Sequence, residues 1–306
     1  MIKRGFLYEI RKNRTLFLMA LPAVFLVLLI SYIPMAGIIL AFKDYRFDLG
    51  VFGSHWNGFE NFKYFFNSGT GLRVTRNTIL YNLLNLATSQ LFAIMIAIFI
   101  NEMRGKYFKK ISQSIIFLPF FISWTIVGVF VYNIFNYETG TLNTVLKSFH
   151  MDPVNLYSTP TVWIFIIAFF NSWKWVGYTS VIYIASILSI DAECFEAAEI
   201  DGANIFQKIF YITIPSISPT IFIMFLLNIG RILRGDFQMF YQIIGNNGQL
   251  FDTTDVIDTF VFRSLLTSGD IAMPAAATFY QSVLCFVIIM VVNGLIRKTR
   301  PDNALF

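Results

Sequence analysis

The chain has 306 residues, of which 56% are hydrophobic and only 13% charged, with 35 phenylalanines. Soluble domains carry about 25% charged residues, so this composition, with a mean hydropathy of +0.64, excludes an ordinary soluble globule and points to an all-α, multi-pass membrane protein. The net charge of +5 comes from basic residues that flank apolar runs, where membrane topology accounts for them without nucleic acid.

A helix needs about 20 mainly apolar residues to cross a bilayer. Six runs qualify: 16–42, 77–101, 113–135, 160–190, 217–235 and 273–296. The first holds Pro22 and Pro34 and is expected to kink near Pro34. It is longer than the apolar region of a signal peptide and lacks a small-residue cleavage site, so it reads as a retained helix. The stretch 43–76 contains Gly58-Phe59-Glu60-Asn61-Phe62 and Tyr64-Phe65-Phe66, aromatic enough for an interfacial helix. The fourth run is overlong, which implies tilt or extension past the membrane. A polar insert, 191–215, separates it from the fifth. In the loop 236–272, Asp255 is placed to cap a helix with Val256, Ile257, Phe260, Val261 and Leu265 on one side. No linker divides the chain, so residues 1–306 read as a single transmembrane domain.

Lys and Arg set the orientation. Lys3, Arg4, Arg11, Lys12 and Arg14, then Arg104, Lys106, Lys109 and Lys110, then Lys208, Arg297, Lys298 and Arg300 fall on one side, and fewer fall on the other. The bias puts both termini and the 191–215 insert in the cytoplasm.

Catalytic groupings are missing from the sequence. His55 and His150 have no carboxylate or cysteine at ligand spacing, and Cys194 and Cys285 fall at different depths, so neither a metal site nor a disulfide is expected. No phosphate-cradling loop is present, so the chain is not expected to hydrolyse a nucleotide itself. The polar outliers lie at membrane depth. Asn171, Trp173, Lys174 and Tyr178 cluster in the fourth run, with Asn171, Lys174 and Tyr178 at helical spacing. Arg231 and Arg234 fall in the fifth run on a shared face, just before Asp236 and Gln238. Charges there are costly unless they face water, a partner or the bundle interior. One reading is a polar translocation path suited to sugars. The other is that Lys174 and the arginines snorkel to the interface, or that the arginines pair with Asp236.

The insert carries the most specific signal. Asp191 can cap a helix with Glu193 in its first turn. Ala197 and Ala198 keep one face thin, and Gly202 can end the helix in a left-handed conformation. A second amphipathic turn carries Ile205, Phe206, Ile209 and Phe210, and Pro215 is expected to break the chain before the next apolar run. Glu196-Ala197-Ala198, Asp201-Gly202-Ala203 and Ile214-Pro215 resemble, at these spacings, the EAA motif of type I ABC importer permeases. The resemblance extends over most of the chain. Tyr32-Ile33-Pro34-Met35, Trp173-Lys174-Trp175-Val176-Gly177-Tyr178, Arg234-Gly235-Asp236-Phe237 and the tail Asn303-Ala304-Leu305-Phe306 are similar to the sugar-permease (MalF/UgpA-like) family, on its LplB-type oligosaccharide and polysaccharide branch.

The resemblance implies a MetI-like fold of six transmembrane helices with a cytoplasmic coupling helix. Glu196, Ala197, Ala198, Asp201, Gly202 and Pro215 would couple to the ATPase. The implied partners are a second homologous permease, two ATP-binding cassette subunits that use ATP and Mg, and an extracellular solute-binding lipoprotein. No cofactor is implied in this chain. The implied setting is the bacterial cytoplasmic membrane, and the implied cargo is a carbohydrate, an oligosaccharide or glycan fragment, moved by alternating access. The sequence leaves open the same machine carrying a non-sugar solute, such as a peptide, polyol or phosphate, and, from a different class, a stand-alone channel or membrane enzyme.

Overall fold

The structure is a computed structural model, and it describes residues 12–267 and 269–299. The basic N-terminal residues before Lys12 and the tail from Arg300 to Phe306, both used above, lie outside the described residues. The long helices are α1 (Arg14–Phe42), α3 (Thr70–Glu102), α7 (Val162–Leu188), α9 (Ile205–Ile229) and α12 (Ala272–Lys298). Shorter ones lie between them: α2 (Glu60–Asn67), α4 (Lys106–Phe121), α5 (Trp124–Phe135), α6 (Thr141–Ser148), α8 (Ala192–Ile200), α10 (Phe237–Ile244) and α11 (Ile257–Thr267). The described strand structure is a two-residue antiparallel ribbon, Lys43 opposite Trp56 and Asp44 opposite His55.

Four helices, α1, α3, α9 and α12, are long and apolar enough to cross a membrane. The pair α4–α5 qualifies as one broken span, bent by 93°. Helix α7 has 27 residues, about 40 Å at 1.5 Å per residue, but its middle is more polar. That polarity is buried: Asn171, Ser172, Lys174 and Ser180 are each at most 8% exposed. Helix α7 thus turns its polar face into the bundle, where it packs most extensively against α3, and leaves Phe165, Phe169 and Leu188 exposed on another face.

Two packing layers involve α7. Trp124, Val127 and Val131 of α5, Trp163, Ile167 and Phe170 of α7, and Met239 and Phe240 of α10 form one core. Ala93, Ala97 and Ile100 of α3 meet Tyr183, Ile184 and Ile187 of α7 and Ile217 of α9 in another. A third cluster joins α2, α11 and α12 through Phe65, Ile257, Phe260 and Ala277, with Ile232 and Leu233. The most apolar window of α1 has no buried residue, so its surface faces lipid or another subunit.

Gly177 sets the closest approach. A Cβ there would fall on the carbonyl of Ile116 and the backbone of Phe117, so only glycine lets α4 lie against α7.

Three expectations need correction. The 113–135 run is not one straight span. Pro119 ends α4 in a tight turn, Ile122 and Ser123 are extended, and the Ser123 hydroxyl caps α5 by accepting from Ile126 N–H at 3.4 Å. Pro215 does not break the chain. The turn before it, Ile209–Thr213, is widened to π geometry, and α9 runs on through the proline. Such a turn absorbs the missing donor and the ring's crowding of the previous turn. The same arrangement recurs in α1, where the π turn Leu28–Tyr32 precedes Pro34. Finally, the fifth span ends at Ile229, not 235, because the chain unwinds from Gly230.

Candidate functional site

The 191–215 insert folds from local signals. The Asp191 carboxylate accepts from Glu193 N–H at 3.1 Å and starts α8. Gly202, at φ +77°, ends it. Ala203 N–H donates to Ala198 O at 2.8 Å and Gly202 N–H to Glu199 O at 3.1 Å, the paired bonds of a Schellman turn. Asn204 and Gln207 then cap α9 reciprocally, at 3.0 and 2.7 Å. Lys208 Nζ reaches back to Glu199 Oε1 at 2.8 Å and ties the two helices. Through that hydrogen bond and its charge, Lys208 holds the Glu199 carboxyl below its usual range.

The result is a rigid elbow with an unburied outer face. No residue of α8 is buried. Glu196, Ala197, Asp201 and Gly202 are exposed, and Ala198 is half-buried. Ile200 is 87% and Phe206 68% exposed beside them. A charged rim around exposed apolar side chains on a fixed elbow has the make-up of a protein-docking surface.

The polar outliers fall into three groups. Lys174 does not line an open path. Its Nζ donates to Phe120 O at 3.0 Å, to Pro119 O at 3.5 Å and to Ile122 O, and lies 5.3 Å from the centre of the Trp124 ring. Phe120 O and Ile122 O are carbonyls left by the α4–α5 break, and Pro119 O also accepts from Ile122 N–H at 3.1 Å, so Lys174 fastens the bend. Asp236 joins this cluster, not the arginines. Its Oδ2 accepts from Trp124 Nε1 at 2.8 Å, and its Oδ1 from Met239 N–H at 3.1 Å as the cap of α10. Trp173 is half-buried against Phe170, and Tyr178 stacks on Phe120 at 4.8 Å while staying 43% exposed.

The second group is a seam between α3 and α7. Asn171 Nδ2 donates to Ser89 Oγ at 3.3 Å, Ser172 Oγ to Thr88 Oγ1 at 2.9 Å, and Tyr183 OH to Gln90 Oε1. The side chains of α3 in this seam were not singled out from the sequence. Their signal was Asn85, Thr88 and Ser89 at spacings of three and four inside an apolar run.

Arg231 and Arg234 form the third group. Both are exposed, as is Gln238, and neither arginine makes an ion pair among the described residues. Asp255, expected as a helix cap, is instead buried at 1% exposure. It is held by both guanidinium nitrogens of Arg263, at 3.0 and 2.6 Å, and by Thr259.

Comparison with known proteins agrees with this geometry. A profile of the family described as "Binding-protein-dependent transport system inner membrane component" matches residues 91–301. Protein LplB of Bacillus subtilis is 30% identical over 289 residues, covering 94% of this chain and 90% of LplB. The polygalacturonan/rhamnogalacturonan transport system permease protein YteP of the same organism is 29% identical over 296 residues, covering 97% and 92%. Among solved structures, a chain of a bacterial ABC transporter involved in import of the acidic polysaccharide alginate superposes with a TM-score of 0.86 at 31% identity, covering 96% of this chain and 98% of that one. The same transporter in complex with an alginate pentasaccharide-bound periplasmic protein also gives 0.86.

Proposed function

This chain belongs to the family of binding-protein-dependent transport system inner membrane components, and we propose that it forms half of the translocation pore of an importer that carries an oligosaccharide or glycan fragment into a bacterial cell. The cargo reading draws on the likeness to the polygalacturonan/rhamnogalacturonan permease YteP and to the alginate importer, and on a bundle whose exposed polar groups include Tyr178, Gln238 and the two arginines. The pore is completed by a second, related permease. Two ATPase subunits, using ATP and Mg, sit beneath the α8 elbow, and an extracellular binding protein delivers the glycan. Both termini lie in the cytoplasm, on the same side as α8.

The exposed elbow carries this reading. A Schellman turn, a capping box and the Lys208–Glu199 pair fix α8 relative to α9. Since α9 is continuous from Ile205 to Ile229, a push on α8 is delivered to a transmembrane lever without slack. ATP-driven closure beneath α8 and release of the glycan from its binding protein then bias the same two states of the bundle.

The test is isolation of the tagged chain from its host in mild detergent, followed by native mass spectrometry and uptake assays. A complex with one different permease and two ATPase copies is expected. Gly202→Pro and Glu196→Lys are expected to abolish uptake while leaving glycan binding by the external protein intact. A stable monomer or homo-oligomer, or normal uptake by both variants, would refute the reading.

A further inference from the structure

The unwound segment after α9 is held from one side. Cys285 Sγ donates to Gly230 O at 3.2 Å, Gln281 Nε2 to Leu233 O at 2.5 Å, and Gly235 N–H to Asp258 Oδ2 at 2.7 Å. Ile232 and Leu233 are buried, at 8% and 0% exposure. Arg231 and Arg234, which flank that buried pair, are exposed. Cys285 lies near the middle of α12, so the break in α9 is level with the middle of a membrane-spanning helix, and Arg231 is at membrane depth. Arg231 also lines a cavity of about 170 Å³ whose other walls are mostly apolar, including Leu226, Leu227, Ile289 and Val292.

The other described cations on the outer side are nearly all satisfied within the chain. Lys43 donates to two carbonyls, Arg46 pairs with Asp48, Lys63 with Glu60, Arg73 and Arg263 with Asp255, and Arg76 donates to Asn77 and Asp252 O. Only Lys147, in an exposed loop helix, resembles Arg231 and Arg234 in having no such partner among the described residues. The neighbouring acids are already engaged. Asp236 holds Trp124 and Met239 N–H. Asp258 feels the charge of Arg234 but gives its Oδ2 to Gly235 and Gln281. A charge kept at membrane depth without an internal counter-ion marks a substrate or ion pathway.

We propose that Arg231 and Arg234 are a carboxylate-recognition pair and that the transported glycan is anionic, built from uronic acid units. A guanidinium matches a carboxylate with two parallel N–H···O bonds, which a hydroxyl cannot return. The rigid backing by Cys285, Gln281 and Asp258 keeps the pair in place for each passing acid. This inference rests on the importer reading above and adds the charge of the cargo.

The experiment uses the full importer in proteoliposomes with its binding protein. Short oligosaccharides of galacturonate, mannuronate and glucuronate are each compared with their carboxyl-reduced, uncharged counterparts. The acidic form of at least one is expected to be taken up and to stimulate ATP hydrolysis about tenfold or more over its reduced form. The variant R231Q/R234Q is expected to lose that preference, and R231K/R234K to keep part of it, because the charge stays while the planar fork is lost. Uptake of reduced glycans as fast as acidic ones would overturn the proposal, as would unchanged acidic uptake in R231Q/R234Q. Equal loss of neutral and acidic uptake in that variant, or loss of the assembled complex, would assign the pair to lipid or to the second permease and overturn it too. No stimulation by any glycan, acidic or neutral, would instead remove the carbohydrate reading, and this inference with it.

Discussion

Replacing Lys174 by Met separates its fastening role from a role in contacting cargo. The side chain keeps its length and loses its ammonium. Phe120 O and Ile122 O at the α4–α5 bend lose the ammonium donor, and Pro119 O loses its longer bond to it while keeping Ile122 N–H. Hydrogen bonds inside membrane proteins are worth about 0.6 kcal/mol on average, and bonds to charged groups in water-soluble folds about 1.5–3 kcal/mol. Three weak bonds come to about 2 kcal/mol on the lower figure, and the contact with the Trp124 ring adds about 1 kcal/mol. Relief of the buried ammonium returns part of this, leaving a net loss of about 2 kcal/mol. At about 2–4 °C per kcal/mol for a chain of this size, the apparent melting temperature should fall by about 4–8 °C. The measurement is thermal unfolding of the detergent-solubilised full chain, followed by tryptophan fluorescence and size-exclusion recovery, alongside uptake by the reconstituted importer. If melting is unchanged while uptake is lost, Lys174 touches cargo and the fastening argument is wrong. If both are unchanged, the bend is held by Pro119 and Ser123 alone.

Gly177→Ala should destabilise by about 1–3 kcal/mol, the usual range for overpacking, because its methyl meets the backbone of Ile116 and Phe117; a melting temperature within error of the parent would contradict this close approach. The Glu199–Lys208 tie should depend on pH in one direction only. The carboxyl is held below its usual value of 4.5, so its contribution is fully present above that value and is lost as pH falls through the lowered one. Hydrogen exchange of the 199–208 amides should therefore be flat from about pH 6 to about pH 8, after correction for the intrinsic rate, and should quicken only on acidification below the ordinary carboxylate range. Glu199→Gln should remove the acid-dependent step, and a change in protection near neutrality would point to another group.

What could be read from the sequence, and what could not, follows the range of the forces involved. The α8 elbow was legible because Asp191 and Gly202 act within three or four residues of themselves; the equally local Asn204–Gln207 capping box was not singled out. The α4–α5 bend was not, since 113–135 is evenly apolar and the group that satisfies its free carbonyls is supplied by α7 from more than fifty residues away. Hydropathy also placed the end of the fifth span too late. Ile232 and Leu233 are as apolar as a lipid-facing pair, yet they are buried against α11 and α12 after the helix has ended. Pro215 looked like a stop because a proline disrupts an ideal helix. The π turn before it depends on the backbone of five residues and has no side-chain signature of its own. Asp236 shows the same limit from the polar side. Two arginines sit within five residues of it, but the indole N–H of buried Trp124 in α5 takes its Oδ2. A buried donor that cannot reach water competes harder for a carboxylate than an exposed guanidinium does. That competition is why the arginines make no ion pair with Asp236, a fact that neither their spacing nor their distance in sequence from Asp236 reveals.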